Sequence, residues 1–259
     1  MSRGRRKGKT NTMPSEKGLN ANQLKLIAIA AMTVDHLTWA FFPGTQTLWY
    51  VVVLHCIGRI TAPIMWFFIA EGSFYTHDRK KYILRLFAFA ILSHFAYDFA
   101  FGIPFFSLSA GIFNRTSVMW SLAIAALIIP PVYSESVSDR AKRIIIFAAC
   151  VISFISDWSS IAVMAPLFLY GHRNDFRRQV WDIVLWTFVY ALVYFIFLDK
   201  LYGALQMFTC LSIPLLKRYN GQRGEWKGMK WFFYIYYPAH LLVIGIIRTL
   251  LWGDISLIF

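Results

Sequence analysis

The sequence predicts an all-α, polytopic transmembrane helical bundle, and three observations carry that prediction. Of 259 residues, 58% are hydrophobic and only 15% charged, more apolar surface than a water-soluble domain of this length can hide. The apolar residues come in long continuous runs, not in the short alternation of a membrane barrel. The net charge of +13 is gathered between those runs. That is the positive-inside distribution of a multi-pass protein, not the basic face of a nucleic-acid binder.

Residues 1–21 hold Arg3, Arg5, Arg6, Lys7 and Lys9 among Gly and Ser, the composition of a disordered tail that keeps the N-terminus inside. Residues 22–259 read as a single transmembrane domain. The first span, Leu24–Phe42, runs outward to a turn at Pro43-Gly44-Thr45 and lacks a cleavage pattern. Thr47–Tyr75 is long for one crossing and contains Gly58 and Pro63, so a kink or a break near Gly58–Pro63 is expected. A charged inner turn, His77 to Lys81, leads to Tyr82–Phe101, an outer loop Gly102–Arg115, a return span Met119–Pro130 and an inner loop Tyr133–Arg143. Taken as one crossing, Ile144–Tyr170 would leave His172, Arg173, Arg177 and Arg178 outside. Two short spans turning at Ser156 to Ser160 keep them inside. Val180–Leu198 and Leu201–Leu216 follow, then a basic inner loop from Lys217 to Lys230 and a last span, Trp231–Trp252. The total is about nine spans.

Lys25, Asp35 and His36 lie in the first of these runs. A charge at bilayer depth costs roughly 2.5–3.5 kcal/mol on insertion scales, so such residues face protein or a wet cavity. Adjacent helical positions point about 100° apart, so Asp35 and His36 do not pair with each other. Lys25, Ile29, Met32 and His36 share one face; Leu24, Ala28, Ala31, Asp35 and Trp39 share the next. Lys25 and His36 are ~16 Å apart along the helix, a length that suits a long cofactor arm.

The other intramembrane ionisable residues are His55, Arg59, Glu71, Arg85, His94, Asp98 and His240. Histidine serves as a general base near neutral pH, and an arginine stabilises a developing oxyanion or holds a carboxylate. Acyl transfer and proton-coupled transport both use this inventory. Arg59 is a candidate partner for Glu71 or Asp98, and Glu71 also for Arg85. His240, two residues after Pro238, is placed to use a carbonyl freed by the proline. On the inner side Arg79, Lys80, Lys81 and Arg85, with Tyr82, supply cations and an aromatic face for a phosphate-bearing cofactor. Cys56, Cys150 and Cys210 are scattered singly, with neither disulfide nor zinc spacing, and no metal is expected.

Four motifs resemble the TraX family in family order. The first is Asn22-x-Leu24-Lys25-x-Ile27-Ala28-Ile29 with Met32 and Asp35-His36. The second is Ile57-Gly58-Arg59-Ile60 with Pro63, then Ile69-Ala70-Glu71-Gly72. The third is Arg79 to Leu86 followed by Tyr97-Asp98, and the last is Lys230 to Leu242. The resemblance implies an integral protein of the bacterial cytoplasmic membrane. It would move an acetyl group from cytoplasmic acetyl-CoA to an amine or hydroxyl of a pilin-like protein or envelope glycan. His36 matches the histidine implied as catalytic, with Asp35 and Arg59 beside it. Glu71, Asp98 and His240 are then expected on the substrate side, and Lys25, Arg79, Lys81, Tyr82 and Arg85 on the cofactor. Such chemistry needs a passage that brings a thioester from the inner face to the His36 ring. A proton-coupled transporter or flippase, and a non-catalytic envelope or pilus assembly factor, are the alternatives. No inverted repeat of the transporter kind is visible.

Overall fold

The computed structural model describes residues 18–105 and 114–253. The expected inner tail up to residue 17, most of the outer loop and the end of the chain lie outside that range. Among the described residues there are α-helices, a 3-10 segment and no strand: α1 Ala21–Phe41, α2 Trp49–Gly58, α3 Thr61–Tyr75, α4 Arg79–Phe101, α5 Val118–Val132, α6 Asp139–Ser153, α7 Ile161–Gly171, α8 Phe176–Phe197, α9 Lys200–Gln206, α10 Ile213–Lys217 and α11 Met229–Trp252. The 3-10 segment, Met207–Ser212, joins α9 to α10.

The helix starts have local causes. Asn20 opens α1 with a reciprocal cap: its side chain accepts from the Gln23 amide, and the Gln23 side chain accepts from the Asn20 amide. Asp78, Ser138, Asp175 and Asp199 cap α4, α6, α8 and α9 in the same acceptor role. The break in the second apolar run falls at Arg59-Ile60, inside the predicted interval. Pro63 sits in the first turn of α3, where its missing N–H costs no helical bond.

Among the described residues five helices are long and apolar enough to cross a membrane: Ala21–Phe41, Trp49–Tyr75 counted across its break, Arg79–Phe101, Phe176–Phe197 and Met229–Trp252. The other expected spans are shorter elements. Val118–Val132 and Asp139–Ser153 have 15 residues each and Ile161–Gly171 has 11, below the ~20 a full crossing needs. The run from residue 200 to 217 is interrupted by its 3-10 segment. The stretch 144–170 turns where positive-inside placement requires, between α6 and α7.

Helix α3 is buried on nearly every side, with Ile64 and Trp66 sealed from solvent, and α5 is buried almost as fully. The two pack on each other and on α7, while α1, α4 and α11 form an adjoining wall. Outward-facing Phe147, Trp181, Phe197 and Leu250 are exposed, as expected of side chains that meet acyl chains.

Helices α1 and α2 approach most tightly at Gly58, where an added Cβ would run into the Asp35 side chain. Gly58→Val should therefore lower the stability of the detergent-solubilised protein by ~1–3 kcal/mol, the usual cost of overpacking. A thermal melt of the variant beside wild type measures it, and an unchanged melting temperature would show that the approach is loose.

Candidate functional site

Asp35 and His36 turn to different partners, as their angular separation requires. Leu24, Ala28 and Ala31 are buried along one stripe of α1, and Asp35 extends that stripe to the break between α2 and α3. There Arg59 Nη2 donates to both carboxylate oxygens, at 2.7 and 2.8 Å. His55 Nδ1 lies 2.9 Å from Asp35 Oδ1. The remaining reach of Arg59 is taken up by Gln206 Oε1 at 3.1 Å and the His55 carbonyl at 3.4 Å. One carboxylate thus ties α1 to the α2–α3 break, and Arg59 extends the tie to α9. Arg59 holds Asp35 and neither Glu71 nor Asp98. His55 is buried and its Nδ1 orders Asp35, while its Nε2 has no hydrogen-bond partner among the described residues; its place four residues before Arg59 on the same helix face is the signal the sequence carried.

Lys25, Ile29, Met32 and His36 form the second stripe, which meets α11. His36 Nδ1 lies 2.7 Å from His240 Nε2, with the ring planes within 7° of parallel. His240 Nδ1 lies 2.9 Å from the Tyr236 carbonyl oxygen. A carbonyl only accepts, so His240 carries its proton on Nδ1. In the neutral pair its Nε2 must then accept, and His36 Nδ1 donates. The lone pair of His36 is left on Nε2. Pro238 frees the carbonyl of Tyr234, four residues before it; His240 uses that of Tyr236 instead, so the expected use of the freed carbonyl does not occur.

Packing around this pair is close. Phe101 and Tyr237 lie edge-on to His36 at 5.8 and 6.1 Å between ring centroids, and 7% of the residue remains accessible. Two cavities of the described structure are lined by residues other than His36. One, of about 140 Å³, lies between α8 and the α6–α7 turn; the second lies beside Cys150 and Phe154.

The remaining candidates separate. Glu71 pairs with Arg173, Nε to Oε1 at 2.7 Å, and the Arg173 guanidinium lies 3.7 Å from the Phe74 ring centroid. Glu71 is therefore engaged by neither Arg85 nor Arg59. Asp98 is fully buried with His94 Nδ1 3.3 Å away. The expected cofactor set also divides. Lys81 points outward, 78% exposed, and pairs with Asp78 at 3.1 Å. The Lys81 amide, with help from its ammonium, holds the Asp78 carboxyl below its ordinary range. Arg79 is exposed as well. Arg85 instead turns inward to the Tyr234 hydroxyl and lies in electrostatic range of Lys230. Lys25 places its ammonium 4.9 Å from the Phe68 ring centroid and in range of Arg223, and Arg223 is in range of Lys230. Tyr82 packs its hydroxyl against Gly72, where a Cβ would lie 2.6 Å from it. Lys25, Arg85, Arg223 and Lys230 so gather at one end of the bundle from α1, α4, the loop before α11 and α11 itself. Among the described residues none of the four forms an ion pair. In the sequence Arg223 is only a loop charge, and Lys230 only the first residue of the last motif; nothing in their spacing joined them to Lys25 and Arg85.

The model of the TraX protein family matches residues 20–248. The chain belongs to the TraX family. It is also 28% identical over 232 residues to the "Probable fimbrial assembly protein FimC, serogroup H1" of Dichelobacter nodosus, covering 87% of this chain and 94% of that protein. No solved structure matches. Apolar helices long enough to cross a bilayer and family membership together make this TraX-family protein a membrane protein.

Breaking the ion pair at the helix break should be expensive, because the surviving partner stays buried and uncompensated. Asp35→Ala and Arg59→Ala should each cost ~3–5 kcal/mol, and the double variant less than the sum of the two. Denaturant melts in one detergent compare them; strict additivity would mean that the pair does not couple the helices.

Proposed function

We propose that this TraX-family protein is an integral-membrane acetyltransferase that uses acetyl-CoA from the cytoplasm. The observation that carries the proposal is the hydrogen-bond order Tyr236 carbonyl–His240–His36, which leaves one basic nitrogen, His36 Nε2. The acceptor's amine or hydroxyl loses its proton to that nitrogen as its nitrogen or oxygen bonds the acetyl carbon. The carbon–sulfur bond then breaks, and the CoA thiolate takes the proton back from the His36 imidazolium. His240 accepts from His36 Nδ1 throughout and stabilises the imidazolium, so it positions the base; it is not assigned to substrate binding.

The cofactor's phosphates fit the cluster of Lys25, Arg85, Arg223 and Lys230, cations that form no ion pair among the described residues. Arg79 and Lys81 are left out of that site. Lys25 and His36 are ~16 Å apart along α1, which sets the distance a thioester arm must cover. Because Phe101 and Tyr237 close on His36, the thioester must displace one of them to reach the ring. Arg59, fully engaged by Asp35, supports the wall of the site and not the oxyanion.

A second reading is a non-catalytic pilus assembly factor. It is favoured by the tight packing of His36 and by the name of the Dichelobacter nodosus relative. The two readings part on acetyl-CoA. With purified protein and labelled acetyl-CoA, His36→Ala should abolish acetyl transfer while leaving the melting temperature near that of wild type. His240→Ala should lower kcat by ~10²-fold or more, with the KM for acetyl-CoA little changed. Full turnover in His36→Ala would remove the base from the mechanism.

The phosphate site has its own test. Arg85→Ala combined with Lys230→Ala should weaken acetyl-CoA binding in calorimetry by ~10²-fold or more, since charge-assisted phosphate contacts are worth ~1.5–3 kcal/mol each. Lys81→Ala should leave it nearly unchanged. Wild-type protein that binds no acetyl-CoA would favour the assembly factor.

A further inference from the structure

Helix α7 covers about half the depth that its neighbour α8 covers. Its 11 residues rise ~16 Å, while the 22 residues of α8 rise ~33 Å, enough for a hydrocarbon core of ~30 Å. Along the first turns of α8 the two helices are closely tied. Asp182 Oδ2 lies 2.8 Å from His172 Nδ1, Gln179 Nε2 donates to the Leu169 carbonyl at 3.1 Å, and Trp186 meets Phe168 at 5.3 Å between ring centroids. Past Ile161 there is no more of α7, because the chain turns there into α6. The same face of α8 continues at helical spacing as Tyr190, Val193, Tyr194 and Leu198. These four line the cavity of about 140 Å³, with Phe154 and Ile161 across from them. The cavity therefore lies where a longer α7 would have run.

The cavity continues toward the surface. Phe154 and Ser160 line the second cavity too, together with Cys150 and Val151. Val151 is exposed on α6 with Phe147, and Phe197 is exposed at the end of α8. The cleft is thus continuous with the surface that meets acyl chains. Its walls suit an apolar guest. The Ser159 and Ser160 hydroxyls already donate to the Phe154 and Cys150 carbonyls, at 3.1 and 2.9 Å. An apolar cavity of roughly 150 Å³ stays dry and takes a small apolar molecule, because its walls otherwise lack contact partners. One end is more polar. Asn114 Nδ2 reaches the Tyr194 hydroxyl at 3.5 Å. Two residues beyond Leu198, Lys200 is exposed and forms no ion pair among the described residues.

We propose that this cleft binds one acyl chain of an anionic phospholipid from the surrounding bilayer, with the phosphate at the Lys200 end. The chain fills the depth that α7 leaves open. The site stands independently of acetyl transfer.

The test uses the full chain purified in detergent, with dioleoylphosphatidylglycerol as the probe and glycerol 3-phosphate as its chain-free counterpart. Native mass spectrometry should find wild type holding one lipid, and the lipid should raise the melting temperature where glycerol 3-phosphate does not. Val193→Trp fills the cleft and should weaken lipid binding by ~10-fold or more, the effect of a few methylenes losing their pocket. Val193→Phe makes the same test should the larger ring prevent folding. Leu192→Trp, one residue away on the exposed side of α8, should bind as wild type does. Lys200→Gln should weaken binding by ~5-fold, as for one cation near a lipid phosphate. No lipid held by wild type, an equal response to glycerol 3-phosphate, or undiminished affinity in a folded Val193 variant would overturn the site. So would an equal loss in Leu192→Trp, which would mean a general lipid effect. Unchanged affinity in Lys200→Gln would overturn the placing of the phosphate.

Discussion

Asp35 against Arg59 is the contact on which the arrangement depends. It puts a carboxylate from α1 against the junction between α2 and α3, where Arg59 and Ile60 keep right-handed helical angles while the hydrogen bonding tightens by one residue, and the guanidinium reaches across. Removing two ions from water is repaid in a low-dielectric interior only when geometry is good and the remaining hydrogen-bonding groups are met. Here His55 and Gln206 meet them. Gly58, with no Cβ, lets the two backbones come close enough for the pair to form. The break is thus set by an ion pair, with Pro63 shifted harmlessly into the first turn of α3.

Once that pair holds one face of α1, the next face is committed to α11. The near-parallel rings of His36 and His240 follow from a register set by packing, since α1, α4 and α11 form one wall. The Tyr236 carbonyl then dictates which nitrogen of each ring carries a proton. A structural bond in α11 in this way chooses the chemistry of a residue in α1. Phe101 and Tyr237 pack edge-on to the His36 ring and leave little of the residue accessible.

The bundle is chemically polarised along its length. At one end four cations from separate elements come together, and among the described residues none of them forms an ion pair. Deeper in, Arg59 is committed to the Asp35 carboxylate.

Fold class, the break near Gly58 and the turn at Ser156 to Ser160 were legible in the sequence, because each follows from local composition or charge placement. So was the divergence of Asp35 and His36, which depends only on helical pitch. The pairings were not: Arg59 with Asp35, His36 with His240, Glu71 with Arg173, and the gathering of Lys25 with Arg85, Arg223 and Lys230. The span count depended on length thresholds that four short segments fail. Hydropathy and periodicity act over one helix and leave a record in neighbouring residues. A contact between His36 and His240 depends on how two helices slide and rotate against each other, which is decided by packing across the whole bundle and written in no single stretch of chain.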